Sequence, residues 1–469
     1  MKSRRSKLLH ELCGKSMLSY AVSAAAALNP HHLVVVVGHQ RVEVLEHLES
    51  LSQNVATAVQ EQQLGTGHAV ACGLGQLPDL EGEVVVTYGD VPLLTGKTLR
   101  RLVSIHRAES NAVTVLTAEV EDPTGYGRIV RTGGKVTGIV EHRDASDEQL
   151  LIREINSGIY VFDAAVLRDG LAHLSTDNAQ GEQYLTDILH HAHDLNRPVG
   201  ALITDDVWQT EGVNDRVQLT RMSQELNRRI LERWMREGVT VIDPHNTWVD
   251  VDVDLSQDVT LMPGVILQGA TTIASGAVIG PDTTLQDVEV GENATVVRSH
   301  GSFAIIGDGA NVGPFSYLRP GTQLGPGGKI GAFVETKNAV IGEGSKVPHL
   351  SYVGDAIIGE GANIGAGTIF ANYDGVNKST THVGNSAFIG SNSVLVAPVD
   401  ISDGAFVAAG SAVTDDVPAG GLAVARGRQR NVGDWLARRR PDSKAARAAA
   451  ESDGNVHPAV TESRAKKKE

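Results

Sequence analysis

The chain has 469 residues, a formal net charge of −15, and 41% hydrophobic but only 4% aromatic residues. This length allows two or three domains with separate cores. The acidic balance argues against sequence-independent nucleic-acid binding, and no apolar run reaches the roughly 18 residues of a membrane span. Cys13 and Cys72 cannot form a disulfide framework. We therefore expect a cytoplasmic protein in which both cysteines are buried small hydrophobes.

Residues 1–212 alternate short aliphatic strands with amphipathic helical segments. The runs HLVVVVG (32–38), GEVVVTYGD (82–90) and AVTVLTAEV (112–120) are rich in β-branched residues, as are strands buried on both faces. Segments between them, such as TGKTLRRLVSIHRAES, are typical of crossover helices. The pattern predicts an α/β domain with a mostly parallel sheet. A proline-free helical pattern over 213–237 predicts a linker helix.

Two stretches of the α/β domain predict ligand contacts. In EQQLGTGHAV (61–70), Gly65, Thr66 and Gly67 let backbone N–H groups approach a nucleotide, although a tight strand-to-helix turn explains them equally well. Asp90, in VTYGDVPLL, stands at the carboxyl end of a strand, where open α/β sheets bind ligands. A carboxylate there suits Mg²⁺ beside phosphates, and a helix cap is the alternative.

After residue 238 the hydrophobic period becomes six. A helix gives a period near 3.6 and a simple strand a period of two, whereas six fits one short strand and one turn. Three such units close a triangular coil, and stacked coils bury an aliphatic column. The pattern therefore predicts a β-solenoid over 238–430 rather than an antiparallel sandwich with evenly spaced strands. The aliphatic positions are Leu261, Leu267, Ile273, Ile279, Leu285, Ile306, Val312, Leu318, Leu324, Ile330, Ile341, Val347, Val353, Val383, Ile389, Leu395, Ile401, Val407 and Val413.

Interruptions of this repeat predict where the solenoid carries chemistry, because register faults map to loops. One lies at 363–384, where ANYDGVNK adds length, and another at 331–355. Histidine changes protonation near neutral pH, so His349 is a candidate base for acyl transfer to an amine, with a packing role as the alternative. Polar residues on nearby coils predict a convergent cleft; they are Arg319, Lys337, Tyr352, Asn363, Asn372 and Tyr373.

The carboxyl-terminal segment differs in composition from the rest of the chain. From Trp435 onward there are nine Lys/Arg and five Asp/Glu, so this stretch is net +4. Its composition predicts a disordered tail over 431–469, with a functional basic tail as the alternative.

These features together resemble the bifunctional N-acetylglucosamine-1-phosphate uridyltransferase / glucosamine-1-phosphate N-acetyltransferase family over about residues 1–430. The motifs EQQLGTGHA, YGDVPLL, DPTGYGRI and GVNDRVQL are followed by LRPGT, FVETKNAVIGEGSKVPHLSYVGDA and NIGAGTIFANYDG. The resemblance implies a Rossmann-like nucleotidyltransferase domain at 1–212 and, after the linker helix, a left-handed parallel β-helix acetyltransferase domain at 238–430. It also implies a homotrimer packed along solenoid faces, with acetyl-CoA sites at subunit boundaries.

The resemblance also implies two reactions and a set of residues for each. Acetyl passes from acetyl-CoA to glucosamine 1-phosphate, and UTP then uridylylates that product, releasing pyrophosphate and yielding UDP-N-acetylglucosamine for cell-wall synthesis. For uridylyl transfer the implied residues are Gln60, Gly65, Thr66 and Tyr88 for the nucleotide, Lys7 for phosphates, Asp90 and Asn214 for Mg²⁺, and Gly127, Glu141 and Asn156 for the sugar. For acetyl transfer they are Arg319, Lys337, Tyr352 and Asn363 for glucosamine 1-phosphate, His349 as general base, and Ala366, Asn372, Tyr373, Ser391, Ala409 and Arg426 for acetyl-CoA.

The sequence departs from the family pattern at its start. The family begins with a strand and the signature L-A-A-G-x-G-T-R immediately before the residue that matches Met1, and neither is present. We therefore expect a mis-assigned start or a fragment, with weak or no uridylyl transfer and acetyl transfer intact. Two further alternatives remain: a nucleotidyltransferase for another sugar phosphate with a structural solenoid, and a non-catalytic trimeric scaffold.

Overall fold

The structure, a computed structural model, describes residues 1–38 and 41–452. Its amino-terminal part alternates helices and strands. The strands are β1 Glu11–Leu12, β2 Lys15–Ser16, β3 Val34–Val37, β4 Ala56–Val59, β5 Glu83–Val86, β6 Val113–Glu119, β7 Arg128–Thr132, β8 Lys135–Val140, β9 Glu154–Asp163 and β10 Val199–Thr204. The α-helices are α1 Met17–Ala26, α2 Arg41–Glu49, α3 Thr66–Leu74, α4 Gly96–Ala108, α5 Asp147–Leu150, α6 Ala164–Ala172, α7 Asp187–Asp194 and α8 Arg216–Arg236.

The larger amino-terminal sheet has the strand order β10-β6-β9-β7-β8, with β5 also paired to β9. Strand β10 is parallel to β6, but β9 is antiparallel to β5, β6 and β7. The prediction of a mostly parallel sheet was therefore wrong for the pairs that β9 makes. A β-branched run indicates that a strand is buried, but it does not indicate the direction of the neighbouring strand.

Two of the three predicted buried strands are only half-buried. Val34–Val36 in β3 and Val84–Val86 in β5 are partly accessible, whereas the β6 residues from Val113 to Ala118 are buried. Strand β6 lies between β10 and β9, while the described pairing of β3 is with β4 and that of β5 is with β9. A strand with a neighbour on one edge only is less covered than a central strand, which explains the difference.

Helix α8 connects the two halves of the chain. It starts at a capping box in which the Asp215 side chain accepts from Gln218 N–H, a helix-start signal. Near its other end Leu231 and Trp234 are buried in the same core as the first coils of the solenoid. The Asn227 amide also donates to Thr247 O at 2.8 Å. The helix therefore closes the end of the solenoid as well as linking it to the α/β domain.

The remainder of the chain forms short parallel strands wound into a solenoid. Strands three apart along the chain pair with each other, as in β14 with β17 and β17 with β20, so three strands make one coil. The strands are β11 Thr240–Val241, β12 Trp248–Val249, β13 Asp254–Leu255, β14 Thr260–Leu261, β15 Ile266–Gln268, β16 Thr272–Ile273, β17 Val278–Ile279, β18 Thr284–Gln286, β19 Glu289–Val290, β20 Thr295–Val296, β21 His300–Ser302, β22 Ile305–Ile306, β23 Asn311–Val312, β24 Tyr317–Leu318, β25 Gln323–Leu324, β26 Lys329–Ala332, β27 Glu335–Ile341, β28 Lys346–His349, β29 Tyr352–Ile358, β30 Asn363–Ile364, β31 Ile369–Ala371, β32 Thr381–Val383, β33 Phe388–Ile389, β34 Val394–Val396, β35 Val399–Ile401, β36 Phe406–Val407, β37 Ala412–Val413 and β38 Leu422–Ala423.

The aliphatic positions that recur every six residues form the core of this solenoid. Every one of them, from Leu261 to Val413, is at most 3% exposed. Val383 comes one residue later than the six-residue repeat requires, and the additional residue lies in a loop over 372–380 between β31 and β32. The irregular stretch at 331–355 is instead built from long strands, since β27 and β29 pair over most of their length. The sequence therefore predicted the solenoid and its core correctly.

Two smaller expectations were wrong. Cys13 and Cys72 are half-buried rather than buried, and burial together with the Asp250 charge raises the pKa of the Cys13 thiol to about 12. The predicted disordered tail contains α9 (Trp435–Arg439) and α10 (Lys444–Ser452), although neither helix has a buried residue. An alanine-rich run favours helix even where nothing packs against it. Residues 453–469 lie outside the described part of the chain.

Within the described residues, no helix combines the length and apolar character needed to cross a bilayer.

Because only one of two neighbouring strand residues faces the solenoid core, substitutions at the two positions should change the free energy of unfolding by very different amounts. Leu324 is 2% exposed, whereas Gln323 beside it faces solvent. We expect Leu324→Ala to lower the free energy of unfolding by about 2–5 kcal/mol, because it leaves a cavity in the column. The matched control Gln323→Ala should stay within about 0.5 kcal/mol. Urea unfolding followed by circular dichroism measures both, and equal effects would contradict a single buried column.

Candidate active sites

Three residues assigned to phosphate and Mg²⁺ binding meet in the α/β domain. Lys7 Nζ donates to Asp90 Oδ2 at 2.6 Å and to Asn214 Oδ1 at 2.8 Å. Asp90 follows β5, Asn214 directly precedes the α8 cap, and a Val213 N–H to Asp90 O bond of 2.9 Å holds the two loops together. Both oxygens therefore converge on one cationic group. Carboxylate and amide oxygens are the hard donors that Mg²⁺ prefers, so the donor set fits this ion.

The glycine turn before α3 is packed against other parts of the chain, and these contacts fix its conformation. Gly65 has φ +113°, and a Cβ there would lie 2.6 Å from Gln183 O. The Gln60 side chain donates to Gly65 O at 3.1 Å. Thr66 is the first residue of α3, and its hydroxyl accepts from Leu185 N–H at 3.1 Å. The structure therefore brings Gln60, Gly65 and Thr66 together in one turn that only glycine can make at position 65.

The residues assigned to the sugar lie around the ring of Tyr88, which is assigned to the nucleotide. A Cβ on Gly158, which has φ +77°, would lie 2.0 Å from that ring, so the backbone packs directly on it. Asn156 Oδ1 accepts from Gly158 N–H at 2.9 Å, and Asn156 N–H donates to Gly127 O at 2.9 Å. A Cβ on Gly127 would in turn be 3.3 Å from the Glu141 carboxylate. Tyr88, Gly127, Glu141 and Asn156 thus form one cluster.

Burial determines the electrostatics of this cluster. It raises the pKa of Tyr88 to about 12, with a further contribution from the Glu141 and Asp90 charges. Burial also raises the pKa of Glu141, and the charges of Asp144 and Asp187 act in the same direction. The Tyr88 hydroxyl therefore keeps its proton at neutral pH and remains a hydrogen-bond donor.

In the solenoid, His349 begins a column of residues assigned to acetyl-CoA. His349, Ala366, Ser391 and Ala409 occupy the same place in successive coils, and the carbonyl of each accepts a hydrogen bond from the coil that follows. The carbonyls with their donors are His349 with Gly367 N–H (3.1 Å), Ala366 with Asn392 N–H (2.7 Å), Ser391 with Gly410 N–H (2.8 Å) and Ala409 with Arg426 Nη1 (2.7 Å). The His349, Ser391 and Ala409 side chains are exposed. The structure therefore aligns His349, Ala366, Ser391 and Ala409 along one corner, and the Arg426 side chain reaches the last of them.

A second polar group lies on the next face of the solenoid. A Cβ on Gly354 would be 2.3 Å from Tyr352 Oη and 2.8 Å from Asn372 Nδ2, so both polar atoms lie over this glycine. Asp355 accepts from Asn372 Nδ2 and, at 2.8 Å, from Asn338 Nδ2. These bonds fix the start of the 372–380 loop against β29.

Cations line the same face. Arg319 Nη1 donates to Glu335 Oε1 at 2.8 Å. Lys337 lies opposite Gly354 in the β27–β29 register, and the close approach and positive charge of the adjacent Lys378 lower the pKa of Lys337. Two ammonium groups this close repel each other unless an anion lies between them. The face is therefore suited to a phosphate group.

The chain does not bring every assigned residue to one place. Asn363 pairs with Lys346 and Phe388, on the face that carries the His349 strand rather than that of Arg319 and Lys337. Tyr373 is 59% exposed in the 372–380 loop, and its hydroxyl donates to Gly375 O at 2.6 Å. The acetyl-transfer residues thus occupy two neighbouring faces that meet at the corner 349–351.

The sequence did not predict three residues that contribute to these sites. Gln183 accepts from Gly67 N–H at 2.9 Å and braces the glycine turn from a distant loop, which no local pattern indicates. Asp355 and Lys378 lie inside the two interruptions of the repeat that the sequence singled out. Because each carries a charge within those stretches, both could have been identified as candidates.

Known proteins resemble the chain in both halves. The sequence model of the Nucleotidyl transferase family matches residues 2–251, and that of the Hexapeptide repeat of succinyl-transferase family matches residues 381–415. The fold class is therefore the predicted one, a Rossmann-like nucleotidyltransferase domain followed by a left-handed parallel β-helix.

Relatives match the chain over nearly its whole length. The bifunctional protein GlmU of Paenarthrobacter aurescens is 56% identical over 96% of this chain and 91% of the relative. The proteins of the same name from Rhodococcus opacus and Corynebacterium aurimucosum are 56% and 53% identical, over 96% of this chain and 92% and 93% of theirs. With this identity and coverage, the chain belongs to the GlmU family of bifunctional uridyltransferase / N-acetyltransferase enzymes.

Proposed function

We propose that this chain makes UDP-N-acetylglucosamine in two steps, at the two sites described above. Acetyl passes from acetyl-CoA to glucosamine 1-phosphate at the solenoid, and UTP then uridylylates the product at the α/β domain. The observation that carries the proposal is that one chain holds both the Lys7–Asp90–Asn214 convergence and the aligned corner from His349 to Arg426.

In the acetyl transfer, the amine of glucosamine 1-phosphate attacks the thioester carbon of acetyl-CoA. The C–N bond forms, the C–S bond breaks, and the amine proton passes to His349. Arg319 and Lys337, with Lys378 beside them, bind the sugar phosphate through charge-assisted hydrogen bonds. Tyr352 and Asn363 hold the sugar, while Asn372, Tyr373 and the column from Ala366 to Arg426 bind the acetyl-CoA.

The acetyl-transfer site favours a trimer in which neighbouring subunits complete one another. Asn363 and Lys337 lie on different faces of a single chain. The corner next to His349 is an exposed apolar ridge, where the Phe315 and Phe333 rings stack with centroids 5.2 Å apart and Leu350 is 62% exposed. Exposed apolar patches of this kind mark subunit contacts. A second copy packed on this ridge would bring its own polar face to the His349 corner.

In the uridylyl transfer, the phosphate of N-acetylglucosamine 1-phosphate attacks the α-phosphate of UTP, and pyrophosphate leaves. Asp90 and Asn214 would hold Mg²⁺, which neutralises charge on the phosphates when bound. Lys7 contacts phosphate oxygens, and the turn of Gln60, Gly65 and Thr66 holds the uridine. Tyr88 also contacts the nucleotide, while Gly127, Glu141 and Asn156 position the sugar, so these residues act mainly by orienting the reactants.

The alternatives raised by the sequence are not favoured. An acetyltransferase alone, or a nucleotidyltransferase for another sugar phosphate, does not fit relatives that are bifunctional over 96% of this chain. A non-catalytic scaffold has no use for paired ammonium groups such as Lys337 and Lys378. Because UTP and acetyl-CoA are cytoplasmic metabolites, we expect the enzyme in the cytoplasm.

Replacing His349 tests the acetyl-transfer step. We expect His349→Ala to lower kcat for acetyl transfer by about 10²- to 10⁴-fold, because the base that accepts the amine proton is lost. The matched control is His382→Ala, an exposed histidine on a different solenoid position, which should keep wild-type activity. Release of CoA thiol from acetyl-CoA and glucosamine 1-phosphate gives the rate, and full activity of His349→Ala would refute the assigned role.

Replacing Asp90 tests the other site independently. Asp90→Asn keeps the shape of the side chain but removes the charge that pairs with Lys7. We expect uridylyl transfer, measured as pyrophosphate release relative to the unsubstituted chain, to fall by about 100-fold. Acetyl transfer should not change.

The control for this substitution is Asp79→Asn, at an exposed position away from the site. It should leave both rates at their original values. A loss of acetyl transfer in Asp90→Asn would show instead that the substitution disturbs the whole fold.

A further inference from the structure

A cluster of two histidines and one aspartate lies outside both sites. Asp169 and His173 stand one turn apart at the end of α6, and His191 is in α7. His191 Nε2 is 2.6 Å from Asp169 Oδ2, and the His173 and His191 rings stack with centroids 5.1 Å apart. One ligand atom from each residue lies within 4.8 Å of the other two. Imidazole nitrogen and carboxylate oxygen together form a donor set for a divalent transition metal.

The hydrogen bond of His173 leaves one of its nitrogens free for a metal. His173 Nδ1 lies 2.8 Å from the backbone oxygen of Asp169. A carbonyl oxygen only accepts, so Nδ1 carries a proton, and in the neutral ring Nε2 then has an unshared pair. Metal-bound histidines commonly have this arrangement, with the second ring nitrogen donating to a backbone carbonyl.

The separations between the ligand atoms are close to those of a tetrahedral zinc site. Zinc–ligand bonds of about 2.1 Å place neighbouring ligand atoms about 3.4 Å apart. His191 Nε2 is 2.6 Å from Asp169 Oδ2, and one ligand atom of each of the three residues lies within 4.8 Å of the other two, so side-chain rotations reach this spacing. The His173 side chain is 63% exposed and that of Asp169 is 50% exposed, so solvent leaves room for small rotations of both. The open side of the cluster leaves room for a water molecule as fourth ligand.

The segment between the two histidines braces the glycine turn of the α/β domain. Gln183 N–H donates to Leu64 O at 2.8 Å, and Gln183 O accepts from Gly67 N–H at 2.9 Å. The Thr66 hydroxyl accepts from Leu185 N–H at 3.1 Å. Residues 174–190, a loop together with the first turn of α7 and called here the 174–190 loop, therefore have both ends at the cluster and contact residues 64–67 in the middle. A link between its ends removes conformational freedom from the whole loop.

We propose that Asp169, His173 and His191 bind a divalent transition-metal ion of the zinc class, which fastens α6 to α7 and stiffens the 174–190 loop. The ion takes the place of the proton between His191 Nε2 and Asp169 Oδ2. The neutral His191 ring then carries its proton on Nδ1. This site is separate from the proposed Asp90–Asn214 site, whose oxygen donors suit Mg²⁺ rather than zinc. It stands independently of either enzymatic activity.

Calorimetric titration of the full chain with Zn²⁺ tests the site. The protein is first freed of metal with a chelator and then kept in excess Mg²⁺, so that oxygen-rich sites are occupied. We expect one tight equivalent in the unsubstituted chain and a dissociation constant raised at least about 10-fold in His173→Ala and in His191→Ala. His193→Ala removes a histidine of α7 outside the cluster and should bind Zn²⁺ like the unsubstituted chain.

Hydrogen exchange gives a second readout that does not depend on activity. Zn²⁺ should slow amide exchange across residues 174–190 in the unsubstituted chain but not in His173→Ala. Because His173 is largely exposed, that variant should keep its fold, which its circular dichroism spectrum checks. Equal Zn²⁺ affinity in His173→Ala and the unsubstituted chain, or Zn²⁺ binding with no change in exchange over 174–190, would overturn the proposal.

Discussion

The buried aliphatic column of the solenoid is the constraint on which the acetyl-transfer half of the molecule depends. One Ile, Val or Leu every six residues fixes the length of each side, and parallel pairing then stacks successive coils about 4.8 Å apart. Residues at equivalent positions are therefore held in line without any contact between their side chains. This is why His349, Ala366, Ser391 and Ala409 form a straight row, although 60 residues separate the first from the last. A long ligand such as acetyl-CoA needs a row of this kind.

The α/β domain positions its residues by a different principle. Lys7, Asp90 and Asn214 come from three distant parts of the chain, and they meet because loops at the end of β5 and before α8 are bonded to each other. Helix α8 then buries Leu231 and Trp234 in the solenoid core. The loop that presents Asn214 is consequently attached to an element that both halves share. The second half of the chain thus helps to place a residue of the first.

Both sites hold charges that a substrate would rearrange. In the solenoid, the Lys378 side chain lies beside Lys337 and lowers its pKa, as a neighbouring like charge does. In the α/β domain, Lys7 instead neutralises Asp90. Under the proposed function, a sugar phosphate would relieve the repulsion at the first site, and phosphates with Mg²⁺ would replace the ion pair at the second. Like charges placed side by side, as Lys337 and Lys378 are, are typical of a binding site rather than of a structural ion pair.

The sequence alone predicts the repeat, because a period of six is a local pattern that only a coil of three short sides buries completely. It also located His349, Asp90 and the Gly65 turn, since each lies in a motif of contiguous residues. It did not determine the antiparallel direction of β9, the half-burial of Val84–Val86 or the bracing of Gly65 by Gln183. Those depend on which strand or loop lies alongside, and such contacts join residues far apart in the chain. Tertiary structure also separated Asn363 from Lys337, because the face on which a residue lies depends on how the chain turns each corner.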